Sequence, residues 1–204
     1  MTPEQFAESA GATPAQVADL ERFRAMVEQT NMVMNLVGPA TLPQFWSRHA
    51  LDSAQLLRLE PQAKTWADLG AGAGFPGVVL AILLKDMPGA KVWLIDSLAK
   101  RCRFLSEAVA ALALPAEVVN ARAESLSLSV EVVTARACAP MTRLLGFAEP
   151  YFRKGARGLF LKGESAEAEL NEARKSWSFD PELLPSASDL RGRVVRIRRL
   201  SRAR

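Results

Sequence analysis

Cysteine, histidine and long apolar runs are scarce in this chain. Its 204 residues hold two Cys, at 102 and 138, and a single His. That inventory cannot assemble an ordinary Cys/His zinc site, and no metal is expected. It cannot supply a disulfide framework either, which points to a reducing, cytoplasmic setting. The longest apolar run, VVLAILL over 78–84, falls well short of the ~20 residues that span a bilayer. The opening MTPEQFAES lacks the basic and apolar regions of a signal peptide, so no membrane association is expected. Internal repeats and low-complexity linkers are absent. Acid is missing from one stretch in particular. Residues 191–204, RGRVVRIRRLSRAR, carry seven Arg and no Asp or Glu, whereas the other 190 residues hold 19 basic and 22 acidic side chains. The overall charge of +4 therefore belongs largely to the C-terminal stretch, whose phosphate-binding potential is local.

Present instead is the balance of a soluble globular domain, 49% hydrophobic and 24% charged, long enough to bury a full core. The first sixty residues form a helical extension. Thr13, Pro14 and Gln16 supply an N-cap, an N1 proline and an N3 partner ahead of Val17, Leu20, Phe23 and Val27 at helical spacing. Thr41 and Gln44 repeat the capping-box pattern, and the stripe Phe45, His49, Asp52, Leu56, Leu59 places a His and an Asp on an otherwise apolar face. From 61 to 204 short apolar runs alternate with helical patterns, the signature of an α/β domain with a mostly parallel sheet and helices on both faces. Strands are expected near 65–69, 92–96, 116–121, 131–136, 157–162 and 193–200, with a further one near 177–184. Helices fill 76–86, 98–113, 140–150 and 164–175. An antiparallel edge suits the last strands, and simple alternation puts Arg196 and Arg198 on one face as substrate-binding candidates.

Four of the twelve Gly fall in the segment DLGAGAGFPG, at 70, 72, 74 and 77. Glycine lets a chain turn through positive φ and approach a ligand closely, and ligands of open α/β sheets bind where such a loop leaves the first strand. The segment formally satisfies G-x-G-x-x-G, with Asp96 about twenty residues on, as in dinucleotide-binding folds. Two features oppose a pyrophosphate: Asp68 at the strand tip is repulsive, and Pro76 in the first helical turn lacks an amide. A cationic sulfonium, S-adenosylmethionine, has the opposite preference. Asp96 then suits the ribose hydroxyls, or alternatively caps the next helix. Asp68 serves either as a loop anchor or near the amino-acid end of the cofactor.

Taken in order, NMVMNLVGPA, RHALDS, DLGAGAGFPG, LIDSLAKRCRFL, ARAE, ARACAP and LFLKG, spanning about 31–163, resemble the bacterial small-subunit (16S) ribosomal RNA guanine-N7 methyltransferases, the glucose-inhibited division protein B family. The resemblance implies a Rossmann-like class I methyltransferase fold behind the helical extension, S-adenosylmethionine as cofactor, and a guanosine of the decoding region, in free RNA or the assembled 30S subunit, as target. It also implies cofactor contacts at Gly70, Phe75, Ala123, Glu124 and Arg136, with Gly72 and Gly74 completing the loop. Each has its own physical reading: Phe75 packs on an apolar ligand face, Ala123 leaves backbone room, Glu124 accepts from an adenine amino group, and Arg136 holds a carboxylate, faces RNA or pairs with Asp68.

Guanine N7 bears a free lone pair, so methyl transfer to it needs positioning and no general base. The Asn/Asp-Pro-Pro-aromatic tetrapeptide of exocyclic-amine methyltransferases is replaced by Ala135-Arg136-Ala137-Cys138, which fits. Cys138 departs from the bulkier residue of the resembled family and stands where pyrimidine C5 methyltransferases can carry a nucleophile, although a free Cys more often packs as a small hydrophobe. His49 and Asp52 are expected to bond to each other and clamp the extension to the core, with Asn35 ordering the turn before them. Lys162 is a second positioning candidate beside Arg136, and Lys100 and Arg101 are candidates for RNA contact on a largely solvated helix face. The chain is expected to act as a monomer. A small-metabolite methyltransferase and a nicotinamide-dependent oxidoreductase are the rival readings.

Overall fold

A computed structural model describes residues 1–203. Two capping boxes start the extension: Thr2 with Gln5 opens α1 (Pro3–Ala10), and Thr13 with Gln16 opens α2 (Pro14–Asn31). The second is the one its sequence predicts. The box expected at Thr41 does not form. A 3₁₀ turn has already begun at Pro39, the Thr41 amide is bonded to the Gly38 carbonyl, and the Thr41 hydroxyl donates to that same oxygen. A π-helical stretch, Phe45–Leu51, follows and runs directly into α3 (Asp52–Leu59). The turn ahead of it is ordered by Asn31, whose Oδ1 accepts from the amides of Leu36 and Val37, rather than by Asn35.

Seven strands make one sheet: β1 (Thr65–Leu69), β2 (Lys91–Asp96), β3 (Ala116–Asn120), β4 (Val132–Arg136), β5 (Arg157–Lys162), β6 (Trp177–Pro185) and β7 (Arg193–Arg202). They lie in the order β3-β2-β1-β4-β5-β7-β6. The first five are mutually parallel and β7 is antiparallel to both neighbours. The chain winds outward from β1 in one direction and resumes on its other side at β4, so the crevice between the carboxyl ends of β1 and β4 is the switch point where ligands of such sheets bind.

Helices cover both faces. On one, α4 (Gly77–Leu83) and α5 (Ala99–Ala111) pack with the extension, and Phe6, Leu20, Phe23, Val27 and Phe45 share a buried cluster with Val78, Ile82 and Phe104. On the other, α6 (Met141–Phe152) and α7 (Ala166–Ala173) bury Leu144, Tyr151 and Leu170 against Phe160, Val195 and Ile197. The β6–β7 pairing slips by one residue beside Pro181, which has no amide to donate: Ile197 faces Pro181, whereas Leu200 faces Phe179. Leu200 thereby packs on the same cluster as Ile197, and the simple alternation that places Arg196 and Arg198 on one face ends at Ile197.

Candidate active site

The loop after β1 is tied down through its backbone. The amides of Gly70 and Ala71 both donate to the Ile95 carbonyl at 2.9 Å, that of Gly74 to Ala71, that of Gly72 to Asp96 Oδ2 at 2.9 Å, and that of Gly77 to Asp68 Oδ2 at 2.8 Å. Gly70, Gly72 and Gly74 all adopt positive φ. A methyl group on Gly70 would stand 2.5 Å from Cys138 Sγ, and one on Gly74 would meet Val78 and Phe23 within 3 Å. These contacts give the glycines a role that no larger residue can fill. They also bear on the ligand, because five amides of the segment are already used and the Asp96 carboxylate lies against the loop. A sulfonium fits these residues; a dinucleotide does not.

Asp68 is sealed beneath the loop, and burial pushes its carboxyl up to about 7 despite the Gly77 amide. Among the described residues its Oδ1 has no hydrogen-bond partner, and neither has Oγ1 of Thr134, its register neighbour on β4. Asp68 therefore anchors the loop and does not line the cleft. Asp96 caps the next segment, its Oδ1 accepting from the Leu98 amide, and it borders a cavity of about 320 Å³. That cavity is also lined by Gly70, Ala123, Glu124, Ala137, Cys138 and Phe147.

A larger cleft of about 850 Å³ adjoins it, sharing Gly70, Arg101, Ala137 and Cys138. Phe75, Arg136 and Lys162 line this second space, with Arg48, His49 and Asp52 from the extension and Ser186, Ser188 and Asp189 from the β6–β7 loop. Arg136 organises it. Its guanidinium donates to the Arg48 carbonyl at 2.9 Å and to His49 Nδ1 at 2.8 Å, stands 3.6 Å from Asp52 Oδ2, and lies over the Phe75 ring. Because a guanidinium only donates, Nδ1 accepts and Nε2 carries the imidazole proton, which it gives to Thr41 Oγ1 at 3.0 Å. Burial and the neighbouring Arg136 and Arg48 hold His49 down at about 3, so it is neutral. His49 also stacks on Phe75, with ring centroids 4.6 Å apart.

His49 and Asp52 are thus partners of Arg136 and not of each other, and Arg136 pairs with Asp52 in place of Asp68. The spacing of His49 and Asp52 showed that they share a face; it could not show the third residue that both would meet. Asp52 Oδ1 accepts from Gln55, Ser186 and Ser188, which joins the extension, β4 and the β6–β7 loop at one carboxylate. Nothing local in PSASD marks those serines, so the loop's part in the cleft was missed. Ala137 was missed as well: it holds φ of +50° beside Arg136, a left-handed conformation that costs a non-glycine residue about 1 kcal/mol.

Lys162 lines the cleft but is committed, bonding the Ala139 carbonyl and Glu169 Oε2 at 2.7 Å each. It sets the β4–α6 loop in place. Cys138 meets both cavities, and burial with Asp68 and Asp96 pushes its thiol up to about 11, the wrong direction for a nucleophile. Arg101 borders both cavities and lies 3.6 Å from Asp96; Lys100 is exposed and borders neither. Gly74 supports the loop from below. Arg196 is mostly buried and bound to Glu182 and Glu60, away from the cleft. Arg198 is further still, because β7 runs from the cleft end toward the opposite end of the sheet.

Comparison with known proteins bears on this geometry. A family model described as rRNA small subunit methyltransferase G matches residues 16–192. A ribosomal RNA small subunit methyltransferase G of Caulobacter vibrioides (strain NA1000 / CB15N) is 63% identical over 194 residues, covering 95% of this chain and 90% of that protein. One from Rhodopseudomonas palustris (strain BisB18) is 45% identical, covering 96% and 88%. Among solved structures, a SAM dependent methyltransferase from Aquifex aeolicus matches with a TM-score of 0.57 at 18% identity, over 85% of this chain and 98% of that one. A mutant of MtNAS in complex with S-adenosylmethionine matches with a TM-score of 0.59 at 14% identity, over 87% and 72%. At these identities the structural matches speak for the fold.

Proposed function

This chain belongs to the rRNA small subunit methyltransferase G family, and we propose that it transfers a methyl group from S-adenosylmethionine to N7 of one guanosine in the decoding region of small-subunit (16S) ribosomal RNA, acting as a monomer in the cytoplasm. The observation that carries the cofactor half is the glycine loop, whose amides are already bonded within the protein while the Asp96 carboxylate lies against it. Bound there, S-adenosylmethionine supplies an electrophilic methyl on a positively charged sulfur.

The chain's own work is holding and excluding. Asp96 has acceptor capacity left for ribose hydroxyls, Glu124 accepts from an adenine amino group beside the Ala123 backbone, and Gly70 admits the ligand between the two cavities. Phe75 and Arg136 form the wall toward the larger cleft, which receives the base. N7 carries its lone pair free at neutral pH, so no side chain has to remove a proton. The cleft agrees: its one histidine is locked as a hydrogen-bond relay, and its cysteine is a protonated thiol. Alignment of the base, with water displaced by Phe75 and the Arg136 cluster, supplies the acceleration.

Purified protein given labelled cofactor and small-subunit RNA from a strain lacking its own enzyme should yield 7-methylguanosine at a single mapped position. A Cys138→Ala variant should do the same. Label in a pyrimidine, in an exocyclic amine or in no RNA at all overturns the proposal, and offering free RNA beside assembled subunits identifies the preferred form.

A further inference from the structure

The arginines of β7 divide into two groups along the strand. The three at or near the cleft end are engaged within the protein: Arg191 with Glu164, Arg193 with the Leu190 and Gly192 carbonyls, and Arg196 with Glu182 and Glu60. Beyond Ile197 this stops. Among the described residues, Arg198 and Arg199 are exposed and make no ion pair or side-chain hydrogen bond, and Arg202 lies over the Trp177 ring at 4.0 Å instead of meeting a carboxylate. Arg174, at the end of α7, lies over Phe179 in the same region. The nearest acid along the paired strand is Asp180, which sits at the slip in register and forms no salt bridge among the described residues. This segment is no loose tail: β7 pairs with β6 through Arg202↔Trp177, and the Ala203 amide is bonded to the Ser176 carbonyl. Its cations are held in place before any partner arrives.

Direction matters as much as charge. Arg193 pairs with Lys162 at the carboxyl end of β5, and Ile197 with Gly158 near its start. At about 3.3 Å per residue, Arg198 to Arg202 lie roughly 15–30 Å from the cleft end of the strand.

We propose that this ordered basic end of β7 is a second RNA-binding surface, which grips the phosphate backbone of a helical segment remote from the target guanosine. The proposal rests on the reading of ribosomal RNA as substrate. It deepens that reading by making the substrate a large folded RNA that spans both ends of the sheet. Phosphate contacts of this kind position the molecule without selecting a base.

The experiment compares a short hairpin bearing the target with a long small-subunit RNA fragment carrying its flanking helices, for the wild type, R198E/R199E and R198K/R199K. Both substituted side chains are exposed and unpaired, and a thermal melt verifies folding. Charge reversal should weaken binding of the long fragment about tenfold and reduce its log–log salt slope by about 2, while hairpin binding and cofactor affinity stay at wild-type values. The lysine pair should retain both. Equal loss on hairpin and long fragment, or wild-type affinity for the long fragment, overturns the proposal, as does charge-dependent binding to phosphatidylglycerol vesicles in place of RNA. Methylation is read separately: a wild type that binds the long fragment through Arg198 and Arg199 but leaves no 7-methylguanosine overturns the proposed reaction and spares this surface.

Discussion

The glycine loop and the helical extension face each other across one cleft, and each buries an ionisable side chain at its base, yet burial moves the two in opposite directions. Asp68 under the loop is pushed up to about 7, and His49 in the extension is pressed down to about 3. The two walls are also fastened differently. The loop is held by five backbone bonds to four acceptors, whereas the cleft side of the extension gathers the Arg48 carbonyl, His49 and Asp52 on one guanidinium. At the cleft, a wall held by many backbone bonds yields to a misplaced atom, and one whose polar groups gather on a single side chain yields to the loss of that side chain.

The largest effect should come from the single fastening. Arg136→Ala leaves Asp52 and the His49 relay without their common donor, and stability should fall by about 3 kcal/mol in a denaturant titration. Arg136→Lys should recover little of it, because one ammonium cannot reach the carbonyl and the imidazole with fork geometry. Full recovery by lysine would mean that charge alone matters and would break the contrast.

Next comes the loop. A Cβ on Gly77 collides with Leu94 Cδ2 and lies 2.6 Å from Asp68 Oδ2. Gly77→Ala should therefore cost about 2 kcal/mol, visible as a melting temperature lower by about 6 °C.

The third effect, a change of slope with pH, sharpens the comparison most. Between pH 4 and 7 the folded protein keeps a proton on Asp68 that the unfolded chain has lost, so this group's contribution falls as pH rises. Between pH 6.5 and 3 the unfolded chain takes up a proton on His49 that the folded protein refuses, so stability falls as pH drops. Over the shared range, about pH 4 to 6.5, the two oppose each other. Asp68→Asn should leave stability rising with pH there, and His49→Gln should leave it falling, each by at most about 1.4 kcal/mol per pH unit. Parallel curves for the two variants would show that the walls do not titrate as opposites.

Local constraints made much of this protein legible in its sequence. The strand ends, the N-cap at Thr13 and the glycine loop all follow from demands that a few neighbouring residues meet alone. Asp96 was legible for the same reason, standing at a strand end at the right distance from the loop. The stripe of His49 and Asp52 was half legible: helical spacing put them on one face without naming Arg136, 84 residues beyond Asp52. Arg196 was misjudged because alternation along one strand contains no information about Glu182 on the paired strand or Glu60 on another element.

The sequence by itself thus determined where most strands begin and end, where the glycine loop turns and which features of that loop oppose a pyrophosphate, since short-range sterics and charge decide those matters. Only the tertiary structure decided that Arg136 joins three distant segments, that Ser186 and Ser188 complete the cleft, and that the basic strand points away from it. Partners and directions of that kind depend on sheet order and on the antiparallel sense of β7, which long-range packing sets.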